Sequence, residues 1–225
     1  YFGNDIKTTD VFEVTITSST FTDNIGTSIS NEPVDAIFNI IDGAFENCNQ
    51  ALRFPRGTIN ILDTSFESCG AGYNNVGGAI YCNDCILTID NSSFNQNESP
   101  EGLIYTRGQT VINNSIFWEN NFEVAGKTIQ STQSTLGINN CTFFKNGALN
   151  LQSLPISIDN SLLNIRNSIG YSLEYPFIGG YNYWYDNIDA SYSIIFNVEG
   201  DGNISQNPIF LDPDNGNFNL QFESP

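Results

Sequence analysis

Hydrophobic and polar residues alternate along this chain in one short pattern that keeps returning. Six segments carry it in full: VTITSSTFTDN (14–24), FNIIDGAFENC (38–48), INILDTSFESC (59–69), LTIDNSSFNQN (87–97), TVINNSIFWEN (110–120) and LGINNCTFFKN (136–146). A looser seventh, ISIDNSLLNIR, occupies 156–166. Ile holds the third position each time: Ile16, Ile40, Ile61, Ile89, Ile112, Ile138 and Ile158. Five residues later comes a large apolar side chain: Phe21, Phe45, Phe66, Phe94, Phe117, Phe143 and then Leu163. Such alternation is that of strands with one face turned inward. The Phe-to-Phe spacing runs from 21 to 28 residues, too variable for a helical heptad and suited to rungs whose loops differ in length.

Two positions before the large apolar residue the side chain is small: Ser19, Gly43, Thr64, Ser92, Ser115, Cys141 and Ser161. A small side chain lets the chain bend between two sheets without overfilling the interior. Just ahead of it stand Asp42, Asp63, Asn91, Asn114, Asn140 and Asn160. At a rung spacing of ~4.8 Å these side chains are expected to form a ladder that satisfies turn amides. Three residues after the Phe comes Asn24, Cys48, Cys69, Asn97, Asn120 or Asn146.

A third strand succeeds each unit: 51–54 (ALRF), 78–81 (GAIY), 103–105 (LIY), 128–130 (TIQ) and 148–151 (ALNL). The pattern therefore predicts an all-β, right-handed parallel β-helix of about seven to nine rungs, with three strands per rung. Its core is a column of Phe21, Phe45, Phe66, Phe94, Phe117 and Phe143. Regular rungs are expected over 1–175, and 176–225 as looser, aromatic-rich rungs or a cap of the same domain. Tyr171, Tyr175, Phe177, Tyr181, Tyr183, Trp184, Tyr185 and Tyr192 crowd around that boundary. A β-sandwich is the rival fold, but its strands would not repeat one template.

The period-two rule turns the third strands into a surface prediction. If Leu52, Ile80, Ile104 and Ile129 point inward, then Arg53, Tyr81, Tyr105, Gln130 and Asn150 form an outward column. Two residues on, Asn83, Arg107, Thr132 and Gln152 form another. Aromatic faces beside amide and guanidinium donors suit a sugar chain. The other reading is a solvated sheet face, where Tyr is common for its β-propensity.

Composition narrows the partners. Seven Lys and Arg stand against 25 Asp and Glu, a formal charge of −18. That field repels phosphate backbones and disfavours nucleic acid. No run approaches the ~20 apolar residues of a membrane span. The chain has no Met and opens at Tyr1, and is read as part of a longer polypeptide, with other domains of that polypeptide as neighbours.

The repeats resemble those of bacterial secreted and surface right-handed β-helix proteins, the pectate-lyase-like group. Phe94-x-x-Asn97, with Gly77-Gly78-Ala79-Ile80, is similar to the units of polymorphic outer-membrane adhesins. The segment 203–221 resembles the closing segment of many bacterial surface β-helix proteins. The resemblance implies an extracellular or cell-surface location and speaks to fold more than function.

Candidate chemistry is sparse. The chain has no His and no adjacent Asp pair, so no catalytic residue is assigned. A lyase site would draw on Arg53, Arg56 and Arg107 with Asp84 or Glu101. Cys48 and Cys69, equivalent on consecutive rungs, are either a disulfide or two buried thiols. Cys82 and Cys85 are either a local disulfide or structural thiols, and Cys141 fills a small-residue slot. Asp212 and Asp214 offer a weak Ca²⁺ turn, and no other cofactor is expected. Sequons at Asn91, Asn97, Asn113, Asn140 and Asn203 arise within the Asn-rich ladders and are not read as glycosylation sites.

The expectation is thus a non-catalytic extracellular module acting in adhesion, assembly or glycan binding, with Arg53, Tyr81, Tyr105, Gln130 and Arg107 as ligand-binding residues. The alternatives are a polysaccharide-active lyase or hydrolase and a structural spacer.

Overall fold

The computed structural model describes residues 13–30, 35–70, 77–99, 102–120, 127–146, 155–171, 178–179, 187–195 and 198–225. They wind into a parallel β-solenoid with roughly three strands to a turn, as the repeat requires. No helix among the described residues is long and apolar enough to cross a membrane.

Three walls enclose the core. In the first, Ile16, Ile40, Ile61, Ile89, Ile112 and Ile138 lie in register from rung to rung. In the second, eight short strands stack from Thr20–Thr22 to Ile194–Ile195. The third aligns Ile29, Leu52, Ile80, Ile104, Ile129 and Ile156. Ile80–Asp90 and Ile104–Asn113 run unbroken from the third wall into the first, so the two walls form one 13-stranded sheet. That corner requires a glycine at Gly108: its φ is +121°, and a Cβ there would lie 2.3 Å from the Cys85 carbonyl oxygen.

Phe21, Phe45, Phe66, Phe94, Phe117 and Phe143 stack with ring centroids 4.6–5.0 Å apart and planes within 6° of parallel. The spacing is the strand spacing itself, because register fixes each ring over the next. Five of the six rings are fully buried, while Phe21, in the first described rung, is half-buried. Beside them Asn97, Asn120 and Asn146 form an internal amide ladder: Asn97 Nδ2 donates to Asn120 Oδ1 at 2.9 Å, and Asn120 Nδ2 to Asn146 Oδ1 at 2.8 Å. Each also donates to a carbonyl of the preceding rung, at Phe66, Phe94 and Phe117. These polar groups are satisfied without water, as burial demands.

The first-to-second corner works differently from the sequence expectation. Asp42, Asp63, Asn91, Asn114 and Asn140 do stack, but exposed and in the left-handed region, with φ between +47° and +55°. Asp and Asn tolerate that region, which explains their place there. Their side chains reach neighbouring side chains, as from Asn114 to Asp90 and from Asn140 to Asn114. The turn amides are satisfied instead by the buried small residues. Thr64 N–H donates to Ser92 Oγ, Ser92 N–H to Ser115 Oγ and Cys141 N–H to Ser168 Oγ, at 3.1–3.2 Å.

The seventh template segment is placed one wall away from its expected position. Ile158 pairs with Ser131 of the third wall, and Leu163 with Leu136 of the first. Asn160 and Ser161 therefore belong to the third-to-first corner with Gln133 and Ser134, and Gly170 takes the rung position next to Phe143. The misalignment has a physical source: both corners use a left-handed polar residue with a small residue directly after it, as at Asn140–Cys141 and Asn160–Ser161, so the two look alike in sequence.

Strands 148–151 of the predicted third wall, with Asn150 and Gln152, fall outside the described residues, as do Tyr175, Phe177, Tyr181, Tyr183, Trp184 and Tyr185. Rungs continue past residue 175 through Asn187–Ser191 and Ile194–Ile195. The chain then folds back as an antiparallel pair, Phe210–Asp212 with Asn217–Leu220. Its Phe210 and Phe218 pack on Phe144 of the second wall, 5.5 and 5.6 Å between centroids, and Phe218 also meets Trp118. Lys145 anchors the turn through Asp214.

Candidate ligand-binding surface

The third wall carries its outward column as the alternation requires. Leu52, Ile80, Ile104 and Ile129 are fully buried. The residues after them, Arg53, Tyr81, Tyr105 and Gln130, lie in register on the outer face. The two tyrosine rings stack 5.3 Å apart and 9° from parallel. The Arg53 guanidinium covers the Tyr81 ring at 4.5 Å, a cation–π contact that holds the long side chain against the wall. At the other end Lys127 Nζ donates to Gln130 Oε1 at 3.4 Å. Ser157 occupies the next position of the row.

Electrostatics keep the ladder neutral at its centre and cationic at its ends. Partial burial pushes the Tyr81 hydroxyl above its ordinary range, opposed by the nearby Arg53 charge. Tyr81 thus remains a neutral donor at physiological pH. Among the described residues, Arg53 and Lys127 make no ion pair with a carboxylate, whereas Arg56, Arg107, Lys145 and Arg166 each do. Two cations flank the tyrosines on a chain of net charge −18.

The other proposed residues are distributed elsewhere. Arg107 leans onto Asp84 at 3.5 Å, and Arg56 onto Asp35 at 3.7 Å. The three arginines considered for a lyase site therefore have three separate partners; Glu101 lies outside the described residues. Thr132 stands opposite Asp159 in the third wall. Asp212 accepts from Asn215 and Asp214 from Lys145, so both carboxylates already hold the hairpin turn together. No group of three or more His, Cys, Asp or Glu poised to hold a metal occurs among the described residues.

All five cysteines are buried thiols. Of the two alternatives for Cys48 with Cys69 and for Cys82 with Cys85, buried thiols are the ones present. Cys85 donates to the Phe54 carbonyl at 3.2 Å, and its partner Cys82 faces the interior, pushed far above the ordinary thiol range by burial. Cys141 is pushed up to about 12, again chiefly by burial. Asn97, one of the sequons, is fully buried in the amide ladder.

Two features were missed in the sequence. Lys127 closes the tyrosine ladder, and its only signal was a cation at the mouth of a third-wall strand. The second wall has an outward aromatic row of its own, Trp118, Phe144 and Tyr171 in register. Its signal was the pair of consecutive aromatics at 117–118 and 143–144, one inward and one outward.

Grooves run along the corners. One, between the first and second walls, is lined by Ser18, Thr20, Asp42, Asp63, Ser65, Asn91 and Ser93. No lysine or arginine lines it. Neither a protein-family model nor a curated protein sequence matches the chain.

Proposed function

We propose that this chain is a non-catalytic recognition module of an extracellular or cell-surface protein, and that its third wall holds a glycan. The observation that carries the reading is the Tyr81–Tyr105 pair: two parallel rings on an outer face, flanked by Arg53 and by Lys127 with Gln130. The C–H face of a sugar ring stacks on an aromatic ring, and its hydroxyls take hydrogen bonds from guanidinium, ammonium and amide groups. A sugar chain laid along the solenoid axis meets several such groups at once, so weak contacts add as in multivalent binding. Adhesion or assembly is a natural use, because a stiff solenoid presents the row at a fixed orientation.

A polysaccharide-active enzyme is less well supported. Acid–base work on a glycosidic bond, or neutralisation of a uronate, needs carboxylates and a cation in one cleft. Here no cation lines the groove of Asp42 and Asp63, and Arg107 and Asp84, the candidate cation and carboxylate that do meet, neutralise each other as an exposed pair.

A glycan array probed with the protein, and with Tyr81→Ala/Tyr105→Ala, tests the reading. Binding to a defined glycan set is expected for the parent and its loss for the variant, with the far-ultraviolet spectrum unchanged. Equal binding by both proteins assigns the interaction to another surface and ends the proposal. A lyase assay run alongside, giving unsaturated product, would replace binding with catalysis.

A further inference from the structure

The slot three residues after each column Phe belongs to the internal asparagine ladder, yet two consecutive rungs fill it with cysteine. Phe45 and Glu46 pair in register with Phe66 and Glu67, so Cys48 stands one rung from Cys69. Backbone bonds on both sides keep that step: Asn47 N–H donates to the Glu67 carbonyl and Gly70 N–H to the Cys48 carbonyl, the latter at 2.8 Å. Adjacent strands at ~4.8 Å place the two Cα atoms inside the ~4.4–6.8 Å range that a disulfide spans. We propose that Cys48 and Cys69 form an oxidisable dithiol, which a small peroxide converts to a disulfide joining these two rungs.

The surroundings divide the roles of the two sulfurs. Cys48 Sγ is met by Ser28 Oγ at 3.2 Å and Asn24 Nδ2 at 3.7 Å, beside the Phe21 and Glu46 carbonyls, whereas Cys69 Sγ faces the carbonyls of Phe45 and Glu67 at 3.4 and 3.6 Å. The neighbouring Cys69 thiol, with the Ser28 and Asn24 donors, favours a thiolate at Cys48 and holds it below the ordinary thiol range against the opposing effect of burial. Cys69 is driven the other way by the neighbouring Cys48 sulfur and by burial, so it remains a thiol. Cys82 and Cys141 are both pushed up, chiefly by burial.

Access comes through an open groove that Cys48 lines with Asn24, Ile25, Asn49, Asp23 and Glu98. Cys48 is only 2% exposed, which admits a small reagent better than a bulky one. The carboxylates of Asp23 and Glu98 repel anionic disulfides, and an uncharged peroxide escapes that repulsion.

The chemistry balances in two steps. Cys48 thiolate attacks one oxygen of hydrogen peroxide, the O–O bond breaks, and the leaving hydroxide takes a proton from solvent to leave as water. Cys48 is then a sulfenic acid. The Cys69 sulfur attacks the Cys48 sulfur, the S–O bond breaks, and hydroxide departs as water with the Cys69 proton. Two thiols and one peroxide give one disulfide and two waters, with two electrons passing from sulfur to oxygen.

The test is to treat the folded chain with hydrogen peroxide, count thiols after denaturation, and map the linkage by peptide mass spectrometry. Loss of two of the five thiols, with a Cys48–Cys69 cross-link, is the expected result. Cys48→Ser abolishes that loss, and Cys69→Ser stops at a Cys48 sulfenic acid that dimedone traps. Five surviving thiols, or a cross-link between Cys82 and Cys85 in place of this one, would overturn the proposal. Should Cys48→Ser fail to fold, the dimedone adduct on the Cys69→Ser protein decides the matter alone: label on Cys48 supports it and no label refutes it.

Discussion

The described rungs carry two outward aromatic rows, and the chain folds back over one of them. Trp118, Phe144 and Tyr171 stand in register on the second wall, and Tyr81 and Tyr105 on the third. Over the first row the chain folds back, laying Phe210 and Phe218 on Phe144 and reducing it to 6% exposed. The tyrosines stay partly exposed, as Trp118 and Tyr171 do, with charged and amide groups at their ends. Outward apolar surface is therefore tolerated in two forms here: covered by the chain's own hairpin, or carrying a polar handle on each ring. Phe144, the ring without a polar handle, is the one that is buried.

The internal phenylalanines give the scale against which both rows are measured, since they stack with the same spacing but in full burial. Phe66→Ala is expected to cost about 3–5 kcal/mol in a denaturant melt, the usual range for truncating a core Phe. A cost near that of a surface change would show that stacking at rung spacing contributes little by itself. Phe218→Ala removes a half-buried ring of the covering hairpin and is expected to cost about 1–2 kcal/mol, toward the low end of the roughly 1.5–3 kcal/mol for burying a whole Phe. Hydrogen exchange should locate the effect: amides of 210–220 exchange faster, while those of the rungs keep their protection. Equal loosening of the rungs would mean that the hairpin supports the whole wall.

Alkaline titration sharpens the other side of the comparison. Burial raises the Tyr81 pKa and Arg53 lowers it, so Arg53→Ala should move the Tyr81 transition to still higher pH. The raised pKa also sets a sign for stability. Tyr81 stays neutral when the unfolded chain's tyrosine ionises, so its contribution is intact below about pH 10 and declines as pH rises further. Tyr81→Phe should flatten that part of the decline, and an unchanged profile would show that the ring is solvated like a free tyrosine.

Smaller effects are expected at the hairpin turn. Lys145→Ala removes exposed ion pairs with Asp214 and Glu119 and should cost no more than about 1 kcal/mol. A chelator should leave the melting temperature unchanged, because Asp212 and Asp214 are engaged by Asn215 and Lys145. A marked drop would place a bound cation in that turn.

Much of this was legible beforehand, and the reason is the repeat. One misread segment would not have changed the fold, because six others set the period. The outward column from Arg53 to Gln130 was readable for the same reason: once Leu52 and Ile80 face inward, period two dictates the rest. Less legible was anything that depends on which of two similar corners a residue occupies. Asn160 and Ser161 look like Asn140 and Cys141, and only strand pairing separates them. The role of the turn residues was also hidden, since Asp42 and Asn91 advertise hydrogen bonding while the buried hydroxyls of Thr64 and Ser92 supply it to the turn amides.

The amino-acid order thus determined the winding, the inward phenylalanine column and the outward face of each third-wall strand, because all three come from local alternation and a recurring period. Tertiary structure alone decided what covers each face. Whether an outward ring is buried depends on a segment some seventy residues away returning to it, as Asp214 does to Lys145. Whether Cys48 is an inert thiol or a donor-surrounded sulfur depends on Asn24 and Ser28 from the rung before. Contacts between distant segments leave no period in the chain, so no local pattern reports them.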